Sequence, residues 1–163
     1  EGYEFDLVMS PTDSIDLAIS GLFMDPIYDS FPNSSAGDLT GTMPSNVSKD
    51  TISSTITWNW NVNNWDGYFR LSHLYASKAK MLENPSWQSI LEAAGNGIKT
   101  QDTLNFSAGI EKDNLSIMLW GKNINDDKYL ISAFPAVADP TFTTFFGYPN
   151  AYSSYGITVN LSF

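Results

Sequence analysis

The chain contains no cysteine, so neither a disulfide framework nor a thiolate metal site is available to it. Histidine is almost as scarce: His73 stands alone and makes a histidine-based metal centre a poor reading. No apolar run approaches the roughly 18 residues that a membrane-spanning helix requires, so a membrane could be met only by strands. Lys and Arg number 8 against 18 Asp and Glu. The resulting net charge of -10 would repel nucleic-acid phosphates and reads as a solvated acidic surface. Glu1-Gly2-Tyr3-Glu4 has neither the charged n-region nor the apolar h-region of a secretion signal. The chain opens directly on strand pattern and reads as a piece of a longer protein.

What is present is alternation. At the C-terminal end Tyr155, Ile157, Val159, Leu161 and Phe163 are separated by Gly156, Thr158, Asn160 and Ser162. A period of two gives a strand one oily and one hydrated face. The same pattern runs through Tyr3 to Met9, Ile15 to Met24, Ile52 to Val62, Phe69 to Tyr75, Leu104 to Ile110 and Leu115 to Leu119. One convincing helix interrupts it. Asn84 can cap, Pro85 suits the first helical position, Trp87, Ile90, Leu91 and Ala94 share a face, and Gly95 stands where a helix would stop.

The connections alternate short and long. Ser10 to Ser14, Val62 to Gly67 and Glu111 to Asn114 are short, Asp66-Gly67 being a hairpin signal, whereas about 25 to 47, 78 to 103 and 126 to 151 are long. A soluble sandwich has no reason to sort its loops by length onto opposite ends; an outer-membrane barrel does. The expected fold class is therefore all-β, a fragment of an antiparallel transmembrane β-barrel with about seven strands and one short loop helix. Tyr3, Phe23, Trp58, Trp60, Trp65, Tyr68 and Tyr75, near strand ends, suit the interfacial aromatic girdles of such barrels.

These residues carry a resemblance that covers nearly the whole sequence. Gly2-Tyr3-Glu4-Phe5-Asp6-Leu7 with the Pro11-containing turn is similar to the Gly-x-Glu hairpin of TonB-dependent outer-membrane receptors. Asn123-Ile124-Asn125-Asp126 with Tyr129 resembles their Asn-Leu-Thr-Asp-x-x-Tyr segment, and Tyr155-Gly156 leading to Phe163 resembles their last strand. One departure is the family's Pro-Arg-Thr-Tyr-Gly: here five residues separate Pro149 from Tyr155, and none is Arg. The resemblance implies that residues 1–163 are the C-terminal portion of a barrel of about 22 strands with a plugged lumen. It further implies a bacterial outer-membrane location and import of an iron chelate, cobalamin or an oligosaccharide, with TonB acting through a region N-terminal to Glu1. Lipid, the rest of the barrel and its plug, and the barrel-assembly machinery are the partners implied. Tyr155, Ile157, Val159, Leu161 and Phe163 resemble the signal that this machinery reads.

Trp87, Phe142, Phe145, Phe146 and Tyr148 fall on long connections. Two readings stand: stacking on a sugar or chelate ring, and packing against neighbouring loops. Asp126-Asp127 reads as turn residues rather than a metal pair, and no cofactor is expected. Arg70 shares a strand parity with Glu4 and Asp6 and suggests an internal polar network. No nucleophile, base and orienting group are suggested together, so the chain is not read as an enzyme. A passive porin and a soluble carbohydrate-binding module are the alternatives.

Overall fold

Seven strands form one antiparallel sheet in the computed structural model, which describes residues 1–163. Strands β1 (Gly2–Thr12), β2 (Ile15–Met24), β3 (Asp50–Val62), β4 (Trp65–Lys80), β5 (Ile98–Lys112) and β6 (Leu115–Lys122) follow one another across it. The last strand, β9 (Ser154–Leu161), pairs with β6. A helix, α1 (Pro85–Ala93), sits between β4 and β5, and a separate hairpin, β7 (Leu130–Pro135) with β8 (Phe145–Pro149), stands between β6 and β9. That hairpin lies within the third long connection, to which the sequence reading assigns no strands. Strand β4 also runs beyond Ser77, and β5 starts at Ile98 rather than Leu104.

The three short connections are two residues each, and they lie at one end of the sheet. The second differs from the expected Asp66-Gly67 turn. Asn63 and Asn64 make it, with φ of 52° and 62°, the pair of positive values that the preferred hairpin turn demands and that Asn tolerates. Asp66 and Gly67 instead lie inside β4, opposite Asn61 and Trp60. Gly67 is needed there for a packing reason: a Cβ would come within 2.3 Å of the Trp60 indole.

Register sorts the side chains onto two faces. Met9, Leu17, Ile56, Leu71, Phe106, Gly121 and Tyr155 form one row across all seven strands. Asp16, Thr57, Arg70, Ser107, Trp120 and Gly156 form a row on the opposite face. The first face is apolar over most of its height and the second is mainly polar. Tyr3 and Phe23 stack at the long-loop end of the apolar face and Trp58 meets Trp60 near the short turns. Tyr68 departs from the expected girdle, because it lies on the polar face across Gly109.

No second layer covers either face of the sheet. The accessible surface is 10508 Å², against about 8,000 Å² for a compact monomer of this mass. The buried apolar residues, Leu39, Ala79, Met81, Leu91, Ala133 and Ala136, all sit at the long-loop end. Ile157 and Val159 in the terminal strand are 67% and 59% exposed. The apolar face thus lacks a protein partner within this chain.

Where β6 ends, side chains take over its pairing with β5. The Ile124 N–H donates to the Leu104 carbonyl, the Leu104 N–H to Asn125 Oδ1 at 3.0 Å, and the Asp102 N–H to Asp127 Oδ2 at 2.7 Å. The Asn125 side-chain amide presents the same donor and acceptor as a strand backbone and the Asp127 carboxylate supplies an acceptor, so β5 continues with these edge groups satisfied.

Candidate functional site

The long-loop end is built around the junction of β4 with α1. Asn84 Oδ1 accepts from the Ser86 and Trp87 N–H groups at 3.0 and 3.2 Å and starts the helix. Gly95, with φ of 80°, follows its last turn. The helix turns Leu91 onto Met81 and Ala133, with Leu82, Leu130 and Phe145 packed around them. Gln88 locks this contact. Its Oε1 accepts from the Met81 and Leu82 N–H groups, while its Nε2 donates to Gly97 O and Glu92 Oε1. A buried amide with both ends satisfied fixes the helix on the strand.

The first long connection is tied to the same junction through Glu83. Its carboxylate accepts from the Ser45 N–H, the Tyr28 hydroxyl and Lys80 Nζ. Partial burial opposes ionisation of Glu83, but these donors prevail and hold it below the usual carboxylate range. Burial and the bond to Glu83 raise the Tyr28 hydroxyl. Asn46 adds two bonds, from its N–H to Lys80 O and from Nδ2 to Met81 O.

Asp139 orders the tip of the β7–β8 hairpin. Its carboxylate accepts from the N–H groups of Thr141, Thr143 and Thr144 and from the Thr141 and Thr143 hydroxyls. The bonds from Thr141, then those from Thr144, hold its carboxyl well below the usual range. The ordered tip carries Phe142 to Trp87, their ring centroids 5.6 Å apart.

Of the aromatic residues singled out in the sequence, Trp87 and Phe142 therefore meet each other. Phe145 points the other way, into the small core. Phe146 and Tyr148 share the outer face of the hairpin, 56% and 58% exposed. Phe134, overlooked in the sequence, joins them at 5.6 and 5.8 Å. No local signal marks it, because only the hairpin register sets Phe134 opposite Phe146, and Ser132 opposite Tyr148. A cavity of about 310 Å³ opens between helix and hairpin, lined by Ile90, Leu91, Ala133, Phe145 and Phe146 among others. This is near the lower limit for small-molecule sites. A larger space of about 640 Å³ lies far from these aromatics, at the short-turn end.

Other sequence-selected residues separate. Asp126 pairs with Lys128, and Asp127 accepts from the Asp102 N–H, both as parts of the bend. His73 meets Asp102 on the apolar face near the loops. Arg70 donates through Nε to Thr57 at 3.1 Å and forms no ion pair with Glu4 or Asp6, which lie three strands away. Tyr155, Ile157, Val159 and Leu161 lie on the apolar face of β9. Phe163 follows the strand end, where Ser162 is held by Asn114 through the bond Ser162 N–H to Asn114 O.

No known family model and no curated protein matches this sequence. Among solved structures the chain is similar to the crystal structure of the ferric yersiniabactin uptake receptor FyuA from Yersinia pestis. The TM-score is 0.75 and the identity 13%, over 99% of this chain and 23% of the receptor. The chain thus spans less than a quarter of that receptor's length. At this identity the likeness is one of fold: a distant, partial match to the barrel of a TonB-dependent outer-membrane receptor. The seven-stranded sheet corresponds to an arc of such a barrel, and the loop helix and hairpin stand at one end of the arc.

Proposed function

We propose that residues 1–163 are the C-terminal portion of an outer-membrane receptor that imports a scarce, bulky nutrient with TonB-coupled energy. An iron chelate, cobalamin or an oligosaccharide fits the class. The apolar face of the sheet lies against lipid and the polar face against the lumen. Three structured long loops face the outside, and two-residue turns face the periplasm. The observation that carries this reading is the sorting of side chains and loops together: one sheet, one unpartnered apolar face, all short turns at one end. The outer edges of β1 and β9 need neighbours in lipid, where an unpaired backbone group costs several kcal/mol, and further strands of the same barrel supply them. On this reading the exposed Phe134, Phe146 and Tyr148 and the Trp87–Phe142 pair receive ligand, and β9 with Phe163 carries the barrel-assembly signal. An open aromatic surface on an ordered hairpin suits a flat or ring-bearing molecule.

The absence of native cysteine in this chain makes a topology test clean. Single substitutions Tyr148→Cys and Asp113→Cys are placed in the full-length protein, with any cysteine elsewhere in it replaced, and intact cells are treated with a membrane-impermeant maleimide. Tyr148→Cys is expected to label at once and Asp113→Cys only after the outer membrane is permeabilised. Equal labelling of both positions in intact cells would contradict the barrel orientation.

A further inference from the structure

The polar face is divided by charge. Glu4 and Asp6 line one cavity of about 220 Å³ with Ser20 and Ser53, and no basic group lines it. Arg70 and Lys122 line another of about 270 Å³ with Ser72, Asn105, Ser107 and Trp120, and no carboxylate lines that one. In a chain of net charge -10, two cations without a counter-charge in one recess require an explanation. The ion pairs of the molecule go elsewhere: Lys49 with Asp25, Lys80 with Glu83 and Lys128 with Asp126. Asp16, the acid in the same row as Arg70, accepts from Ser10 and Asn59.

The fold holds this recess open. Thr57 takes the Arg70 Nε–H, which anchors the guanidinium and leaves its terminal N–H groups for a ligand. Arg70 and Lys122 lie two strands apart and two residues apart in height, about 12 Å between Cα atoms, and both line the one recess. At the edge of the recess away from Arg70, Trp120 lies across β9, because Gly156 has no Cβ; one added there would stand 2.3 Å from the indole. Lys122 Nζ sits 5.6 Å from the Trp120 ring centroid. Ser72, Asn105 and Ser107 add uncharged hydrogen-bonding groups around the two charges.

We propose that this recess binds an oxyanion, a carboxylate or phosphate group of a small solute. Arg70 provides the planar fork that matches such a group, Lys122 the second charge, and Trp120 a platform for the adjoining carbon skeleton. The proposal rests on the reading of the polar face as the lumen wall, and it adds the chemical class of a group that this wall attracts.

The test is charge-selective modification of the full-length protein in outer-membrane vesicles. Ser107→Cys reports the cationic recess and Ser20→Cys, opposite Asp6, the acidic one. Each is treated with a sulfonate-bearing and a trimethylammonium-bearing methanethiosulfonate of similar size. The ratio of anionic to cationic rates is expected to be about tenfold higher at Ser107→Cys, the scale of local electrostatic focusing. Citrate or inorganic phosphate should slow modification there and leave Ser20→Cys unchanged. Arg70→Gln and Lys122→Gln, made separately and checked for folding by heat-modifiable mobility, should each lower the ratio and the protection. Equal ratios at the two positions would overturn the proposal, as would a preference that neither citrate nor phosphate affects. Equal shielding of Ser107→Cys from both reagents would overturn it too, by assigning the recess to a covering protein segment. The maleimide labelling of Tyr148→Cys and Asp113→Cys reports the barrel itself, so a failure of that reading is separable from a failure of this one.

Discussion

Asn123 shows how one side chain can stand in for several backbone partners. It is 4% exposed and has a φ of 49°, a left-handed value that Asn accepts more readily than most residues. Its Oδ1 accepts from the Asp127 N–H, and its Nδ2 donates to the carbonyls of Asp127 and Ala151, each bond 2.9 Å. Asp127 O keeps a second donor in Asn150, so Asn123→Ala orphans chiefly the Asp127 N–H and the Ala151 carbonyl. The expected loss is about 1–3 kcal/mol for each of these groups, with added backbone strain. Thermal unfolding of the full-length protein in detergent would show it as a lower midpoint. Asn123→Gly, which relieves the strain but restores no bond, should fall between wild type and Ala. A midpoint unchanged in Asn123→Ala would remove this account of the segment's role. Gln88 works by the same rule at the helix, and neither role was visible in the sequence, because their partners are backbone groups brought near only by the fold.

The loops behave as one packed unit rather than three independent ones. Glu83 is the joint between the first and second, and its carboxyl lies below the usual range in the folded chain. A depressed folded value means that the ionised form is favoured by folding. The stabilisation is therefore complete above the unfolded value of about 4.3 and is lost as pH falls through the lower folded one. Amide exchange in residues 25–49, led by the Ser45 N–H, is expected to accelerate beyond the intrinsic trend as pH drops below about 4. Glu83→Gln should show the faster exchange already at neutral pH and little further pH response. The helix itself was legible, since its cap, its Pro85 and its stop at Gly95 are local signals. The β7–β8 hairpin was not, because its strands are short and joined by a loop that Asp139 holds from within.

The sheet as a whole has two faces of different character, one mainly apolar and one mainly polar. If its apolar face meets lipid, a charge there is costly near mid-height, about 2–4 kcal/mol for Arg, while the same charge on the polar face is tolerated. Leu119 and Thr158 test this within two adjacent strands, since Leu119 pairs with Ile157, next to Thr158 on β9. Leu119→Arg is expected to lower unfolding free energy in lipid vesicles by that amount and Thr158→Arg by well under 1 kcal/mol. Equal costs would mean that the two faces meet similar surroundings. The accessible surface, well above that of a compact chain of this mass, argues in the same direction and against a free-standing soluble module.

Alternation placed the seven long strands of the sheet and divided their side chains between two faces before any contact was known, because a strand's period of two is a local property of the backbone. It also sorted the connections by length, since turn residues are local signals too. Register lay beyond it. Which Asp meets which Asn, and whether Arg70 faces an acid or a threonine, depends on pairing between strands far apart in sequence. Asp66-Gly67 illustrates the limit: its dipeptide preference is that of a turn, yet pairing with Asn61 and Trp60 draws it into β4, and the turn passes to Asn63-Asn64. The cation recess around Arg70 and Lys122 exists only in that paired sheet, because hydrogen-bond register across β4, β5 and β6 is what sets two distant side chains on one wall.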